Sequence, residues 1–166
     1  MRESAIPLAA LKQHIALLEG HAHARVDRLF TVGAEAIDVK LGGGLAQGRL
    51  HELVTDTREN GASAAGFALM LAMRAAPAGL PLLWLRQEAD EKGGRLHAPG
   101  FAEIGLDPAR LILAVAPDSR TLFKAAGDSL RCAGLGAVVI EPGRDGRRND
   151  LTISRRLALA AEQSGV

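Results

Sequence analysis

Gly61-Ala62-Ser63-Ala64-Ala65-Gly66-Phe67-Ala68 is the stretch whose reading decides the fold. Its two glycines stand at the spacing of G-x-x-x-x-G-K-[ST], the loop whose backbone amides wrap nucleotide phosphates. Phe67 occupies the place of the lysine and Ala68 that of the hydroxyl residue. In a working loop the lysine brings positive charge to the β- and γ-phosphates and the hydroxyl holds magnesium. A phenyl ring and a methyl group do neither. An apolar, strand-like run, Leu50-His51-Glu52-Leu53-Val54-Thr55, precedes the glycines, and an Ala-, Leu- and Met-rich helical run over 65–76 follows them. Strand, loop and helix in that order predict a nucleotide-binding architecture with the phosphate chemistry removed. Paired glycines also arise by chance in a chain with 19 of them, so the reading depends on what surrounds them.

The bulk properties narrow the field. A chain of 166 residues is long enough to bury one core. A formal net charge of +1 sets up no global field demanding nucleic acid or an anionic membrane. Four Phe, one Trp and no Tyr leave an aliphatic core and few rings on which single-stranded bases could stack. The single cysteine, Cys132, excludes a disulfide framework and a cysteine-based zinc cluster; its helix-like setting predicts a small core residue. No signal peptide opens the sequence and no apolar run is long enough to span a bilayer, which makes the cytoplasm the expected compartment.

Working outward, residues 5–19 read as a helix. Leu8, Leu11, Ile15 and Leu18 recur at helical steps and form one apolar stripe. Gly20 ends the run, and residues 21–28 are polar and basic, as in a linker. His21 and His23 lack carboxylate or cysteine partners at ligand spacing and read as solvated. Residues 30–55 are studded with glycines at bends, notably Gly42-Gly43-Gly44 and Gly48. Beyond the glycine pair, apolar strands are expected at 81–86, 111–115 and 137–140. Helical pieces are expected at 101–106, at 119–132 with Leu122, Phe123, Ala126 and Leu130 on one side, and at 151–163 with Ile153, Leu157 and Ala161 facing one way. Short apolar strands alternating with helices imply a parallel sheet covered on both faces. Right-handed crossovers then gather the strands' C-terminal ends on one edge, where such sheets place their crevice. The degenerate loop, Arg86 to Glu88, and Glu141 all map to that edge.

This ordered set resembles the RecA superfamily. Phe30-Thr31-Val32-Gly33, Ile37-Asp38, Gly43-Gly44-Leu45 and Gly48-Arg49 are similar to the glycine-studded lead-in to its phosphate loop. Glu88 falls near the superfamily's catalytic glutamate, and Glu141 where the magnesium-linked acidic residue of Walker B stands. Within the superfamily the chain resembles the ImuA family, through Leu82-Leu83-Trp84-Leu85-Arg86-Gln87, Gly105-Leu106-Asp107-Pro108-Ala109-Arg110-Leu111, Ala116-Pro117-Asp118 and Ser154-Arg155-Arg156-Leu157-Ala158-Leu159. The resemblance implies a RecA-like α/β core, a parallel sheet flanked by helices with an N-terminal helix ahead of it. Residues 1–29 are the expected helix and linker, for oligomerisation or partner docking, and residues 30–166 the core. It also implies a role in SOS-induced translesion synthesis. The expected partners are ImuB, an inactive Y-family polymerase that binds the sliding clamp, and, through it, an error-prone replicative-type polymerase.

Loss of the lysine and the hydroxyl together argues for a pseudo-ATPase with no cofactor, since two surviving carboxylates repel a triphosphate unless a cation intervenes. A weak ATPase or nucleotide sensor is the alternative, because backbone amides at a helix N-terminus can still hold a phosphate. The apolar stripe at Leu8, Leu11, Ile15 and Leu18 has three readings: packing on its own domain, self-assembly or RecA contact, or docking on ImuB. Arg144, Arg147, Arg148, Arg155 and Arg156 read as DNA contacts, as contacts to an acidic partner, or as a solvated surface. In RecA-like sheets a further strand inserts between the Walker A and Walker B strands. The sequence stops where it would begin, after Val166, so the chain is expected to be a truncated version of a longer protein or to have the gap filled by another chain.

Overall fold

The computed structural model describes residues 28–57, 60–88, 96–143 and 151–166. Three parallel strands form the main sheet: β3 (Leu82–Gln87) in the centre, β4 (Leu111–Ala116) on one side and β5 (Ala137–Glu141) on the other. The register runs from Leu82↔Leu111 to Gln87↔Ala116 on the β4 side and from Leu82↔Ala137 to Arg86↔Glu141 on the β5 side. All six residues of β3 are buried, as expected of a parallel strand covered on both faces. Side chains alternate across a strand, so Leu82 and Trp84 enter one core and Leu83 and Leu85 the other.

The first core packs Leu82 and Trp84 against Leu69 and Ala72 of α2 (Gly61–Ala75), with Leu106 and the half-buried Phe101 of α3 (Ala98–Glu103) alongside. The second packs Leu83, Leu85 and Ala116 against Leu122, Ala126 and Leu130 of α4 (Ser119–Ser129) and Leu157 and Ala161 of α5 (Leu151–Ser164). The stripes predicted for α4 and α5 are therefore the buried ones. Fully burying one such leucine contributes about 1.5–3 kcal/mol. The β3-to-β4 and β4-to-β5 crossings run in opposite directions along the sheet and over opposite faces, which keeps both crossovers the same hand.

Ahead of the sheet, β1 (Leu29–Phe30) and β2 (Leu45–Ala46) form an antiparallel pair around a short helix, α1 (Glu35–Lys40). The sequence reading had no helix there: the six residues bury none of their side chains, so they carry no apolar period to detect. What fixes the segment is Asp38, whose carboxylate accepts the amides of Val32 at 2.7 Å and Gly33 at 3.1 Å. Gly44 has φ +137, and a Cβ there would collide with the Phe30 carbonyl, so the β1–β2 pair requires glycine at that position. Phe30 and Val32 then pack on Leu71 of α2.

Three expectations need correction. Residues 50–55 are not a strand but irregular chain, with Leu50, Leu53 and Val54 41, 40 and 83% exposed. No described strand lies beside them to complete a ladder, and an extended segment without a partner is not a strand. The helix after them starts at Gly61 rather than near 65, which winds the glycine pair into its first two turns. Cys132 is exposed and lies past the end of α4, so it is not a core residue. The expected helix at 5–19, with Leu8, Leu11, Ile15 and Leu18, lies outside the described residues, as do Arg144, Arg147 and Arg148.

Candidate functional site

Along the sheet's C-terminal edge, the chain leaves β3 towards α3 over one face and leaves β5 towards α5 over the other. The ends of β3 and β5 are thus the point where connections diverge, and that is where doubly wound sheets open a binding crevice. Here the polar side chains at the strand ends engage one another, beside a cavity of about 680 Å³ that Gly61, Ala65, Ala68, Trp84 and Glu141 help to line.

Glu141, expected to be the metal-linked carboxylate, is already engaged. Arg86, directly opposite it in the β3–β5 register, brings Nε to 2.8 Å from Oε2 and Nη2 to 3.5 Å from Oε1. The Nε contact is an ion pair rather than an aligned hydrogen bond. Trp84 donates its indole Nε1–H to the same Oε2 at 3.0 Å. Arg86 is buried to 7% exposure while Glu141 keeps 31%, so the carboxylate reaches from the edge to neutralise a cation sunk in the core. On the other face Gln87 accepts the Ser119 hydroxyl at 2.9 Å and the Gly143 amide at 3.1 Å on its Oε1. A Cβ on Gly143 would strike that amide group, so the chain leaving β5 is sealed against β3. Glu88, the expected catalytic glutamate, is exposed just beyond the end of β3.

The glycine pair forms no cradle. Gly61 and Gly66 both lie in helical conformation within α2, and a Cβ on either would meet nothing within 4 Å. Neither glycine is required by the backbone, whereas a phosphate loop needs glycine for close backbone approach. Phe67 is exposed on the second turn, with Ala68 beside it. At the helix start Asn60 makes no side-chain cap; its Nδ2 instead donates to Asp56 at 2.8 Å. That bond, with the Thr57 amide at 2.8 Å, holds the Asp56 carboxyl below its ordinary value, so a fixed negative charge sits ahead of α2. The residues present do not fit a magnesium nucleotide: the carboxylate that would hold the metal is paired, the loop is wound and its approach carries an anion. Among the described residues no three His, Cys, Asp or Glu side chains gather as a metal site.

Of the remaining expected residues, Arg155 and Arg156 are exposed on α5. Trp84 and Arg86 are the residues that sequence reasoning missed as partners of Glu141. The signal was present: Leu82, Trp84 and Arg86 share a face by strand alternation, and a charged residue inside a buried strand needs a counter-charge. Which strand supplied it depended on sheet order. Among the described residues no helix is long and apolar enough to cross a membrane.

Three parallel strands, helices on both faces and a crevice at the divergence of β3 and β5 define a RecA-like α/β core. No family model matches the chain. It is 35% identical over 127 residues to the protein named ImuA of Caulobacter vibrioides, both in strain NA1000/CB15N and in strain ATCC 19089/CIP 103742/CB 15. The match takes in 75% of this chain and 48% of each relative, so the chain spans about half the length of the curated relatives it matches. Over that stretch the chain belongs to the ImuA family.

Proposed function

We propose that this chain is a non-catalytic, RecA-like accessory protein of SOS-induced translesion synthesis and mutagenesis. It acts in the cytoplasm as a scaffold for ImuB and, through it, for an error-prone polymerase. Family membership supports the pathway. The observation that carries the non-catalytic reading is the Arg86–Glu141 pair at 2.8 Å. An internal guanidinium occupies the carboxylate that phosphoryl transfer would need for its metal. The wound glycine pair supports the same conclusion, because a helix presents only its first free amides to an anion, not a wrapped cradle.

Two measurements test it. Thermal melting with and without millimolar magnesium–ATP is expected to give the same midpoint, since a ligand that binds only the folded state at 100 times its Kd would add about 2.7 kcal/mol. A magnesium-dependent rise, together with phosphate release that disappears in Glu88→Ala, would establish the ATPase instead. Co-elution with purified ImuB tests the scaffold. Loss of co-elution on changing Leu8, Leu11, Ile15 and Leu18 to serine, with the melting curve of the core unchanged, assigns docking to the N-terminal stripe.

A further inference from the structure

α4 and α5 lie side by side on one face of the sheet, joined through the core that buries Leu122, Ala126, Leu157 and Ala161. Each helix turns its opposite side to solvent. On α4 that side carries Arg120 and Lys124, one turn apart, with Arg131 exposed just past the helix end. On α5 it carries Leu151, Arg155 and Leu159 at steps of four, with Arg156 beside them. Residues four apart share a helix face, so each set forms a row along its helix.

The charge of this face is one-sided. Five exposed cations, Arg120, Lys124, Arg131, Arg155 and Arg156, meet two exposed carboxylates, Asp118 and Asp128. Asp118 accepts the Thr121 amide at 2.7 Å, where it starts α4. Glu162, the acid of α5, holds Arg49 at 3.0 Å. Among the described residues none of the five cations is ion-paired. The whole chain carries a formal net charge of only +1, so the excess is local. At physiological salt the field of such a face reaches about 8 Å into solvent, and it attracts an anionic partner.

The leucines decide which anion. Leu151 is 85% exposed and Leu159 47%, and Arg155 stands between them in the same row. Phosphates offer a leucine nothing to pack on. Nor does this face, among the described residues, expose an aromatic ring on which a base could stack; Phe123 is half-buried against the core. Eight residues of helix set the two leucines about 12 Å apart, an interval that a second helix matches with side chains two turns apart. We infer that the outer face of α4 and α5 docks an acidic amphipathic helix of a partner protein. The apolar side chains of that helix cover Leu151 and Leu159, and its carboxylates meet Arg155 and Arg156 on α5 and Arg120 and Lys124 on α4. Charge sets the rate and orientation of the encounter, and the leucines set its lifetime. The inference goes beyond the proposed function and does not rest on it: a chain that failed to co-elute with ImuB would still carry this surface.

The probe is a dye-labelled synthetic helix of about 18 residues, with leucine at every third or fourth position and glutamate flanking that stripe. Fluorescence anisotropy with the full chain is the readout, and saturable binding is expected. A peptide of the same composition with the stripe scrambled is expected to bind at least about tenfold more weakly, as is the original peptide to Leu151→Ser combined with Leu159→Ser. Arg120→Glu, Lys124→Glu, Arg155→Glu and Arg156→Glu together should abolish binding of the acidic peptide and create binding of its lysine counterpart. All six positions are exposed, so the melting curves are expected to superimpose; if the four reversals lower the melting temperature, the leucine variant alone decides. No saturable binding would overturn the inference, as would equal binding of the scrambled peptide or an unchanged affinity in the leucine variant. A charge-reversed variant that melts like the original yet takes up neither peptide would do the same. So would a duplex or single-stranded oligonucleotide that binds more tightly than the peptide and loses affinity steeply with salt, because the cations would then be phosphate contacts.

Discussion

Glu141 is the residue on which the chemistry of this core turns, because one carboxylate cannot serve both Arg86 and a metal. Breaking a buried pair by removing one charge costs 3–5 kcal/mol when both partners are enclosed. Glu141 is about one-third exposed, so Glu141→Gln is expected to cost about 1–3 kcal/mol by urea unfolding. A carboxylate kept for a metal would instead be neutral or stabilising to remove in the metal-free protein. The same logic applies to the loop: Phe67→Lys with Ala68→Thr restores the motif letters but not the loop, because both residues lie inside α2. The double variant is expected to show no magnesium–ATP shift in melting temperature. Asp118 offers a pH test. Its carboxylate accepts the Thr121 amide at 2.7 Å at the start of α4, which holds the acid below its ordinary value of 3.8. A depressed folded value means the contribution is present above the unfolded value and is lost as pH falls through the folded one. Asp118→Asn, which can still cap the helix, should therefore flatten the loss of stability below about pH 4 while changing little at pH 7.

At the scale of elements, α4 and α5 were legible because a half-buried helix writes its contacts as a period. Leu122, Ala126 and Leu130, then Leu157 and Ala161, are the residues that pack on Leu83 and Leu85. Leu122 is fully buried, and Leu122→Ala is expected to cost 2–5 kcal/mol by chemical denaturation. β3 was legible for a different reason: Leu82 to Leu85, enclosed on both faces, read as an unbroken apolar run. Residues 50–55 show where such reading fails. Leu50, Leu53 and Val54 have strand composition, but a strand exists only through its neighbour, and composition does not record who the neighbour is. The element boundary at α2 failed similarly. Gly61 and Gly66 signalled a bend, yet α2 runs helical through both with free space around them. Gly136 behaves oppositely: a Cβ there would lie 2.6 Å from the Ala76 Cβ. Gly136→Val is expected to destabilise by about 1–3 kcal/mol through overpacking between α2 and β5, checked by the same unfolding measurement.

Across the whole molecule, the sheet order β4-β3-β5 does two things at once. It sets Arg86 opposite Glu141, so that the carboxylate is engaged, and it leaves β5 facing a cavity of about 680 Å³ between α2 and α5. The first supports the proposed non-catalytic reading. The sequence by itself determined the helical faces, the three parallel strands and the resemblance to a RecA-like core, because these follow from the periodicity of buried side chains and from short motifs. The missing lysine and hydroxyl were visible there too. Only the tertiary structure decided that Glu141 pairs with Arg86 and Trp84, that the glycine pair is helical, and that residues 50–55 stand apart from β5. Each of those depends on which strand lies beside which. That arrangement is set by the packing of α2 and α5 on opposite faces of the sheet, and no local stretch of sequence contains it.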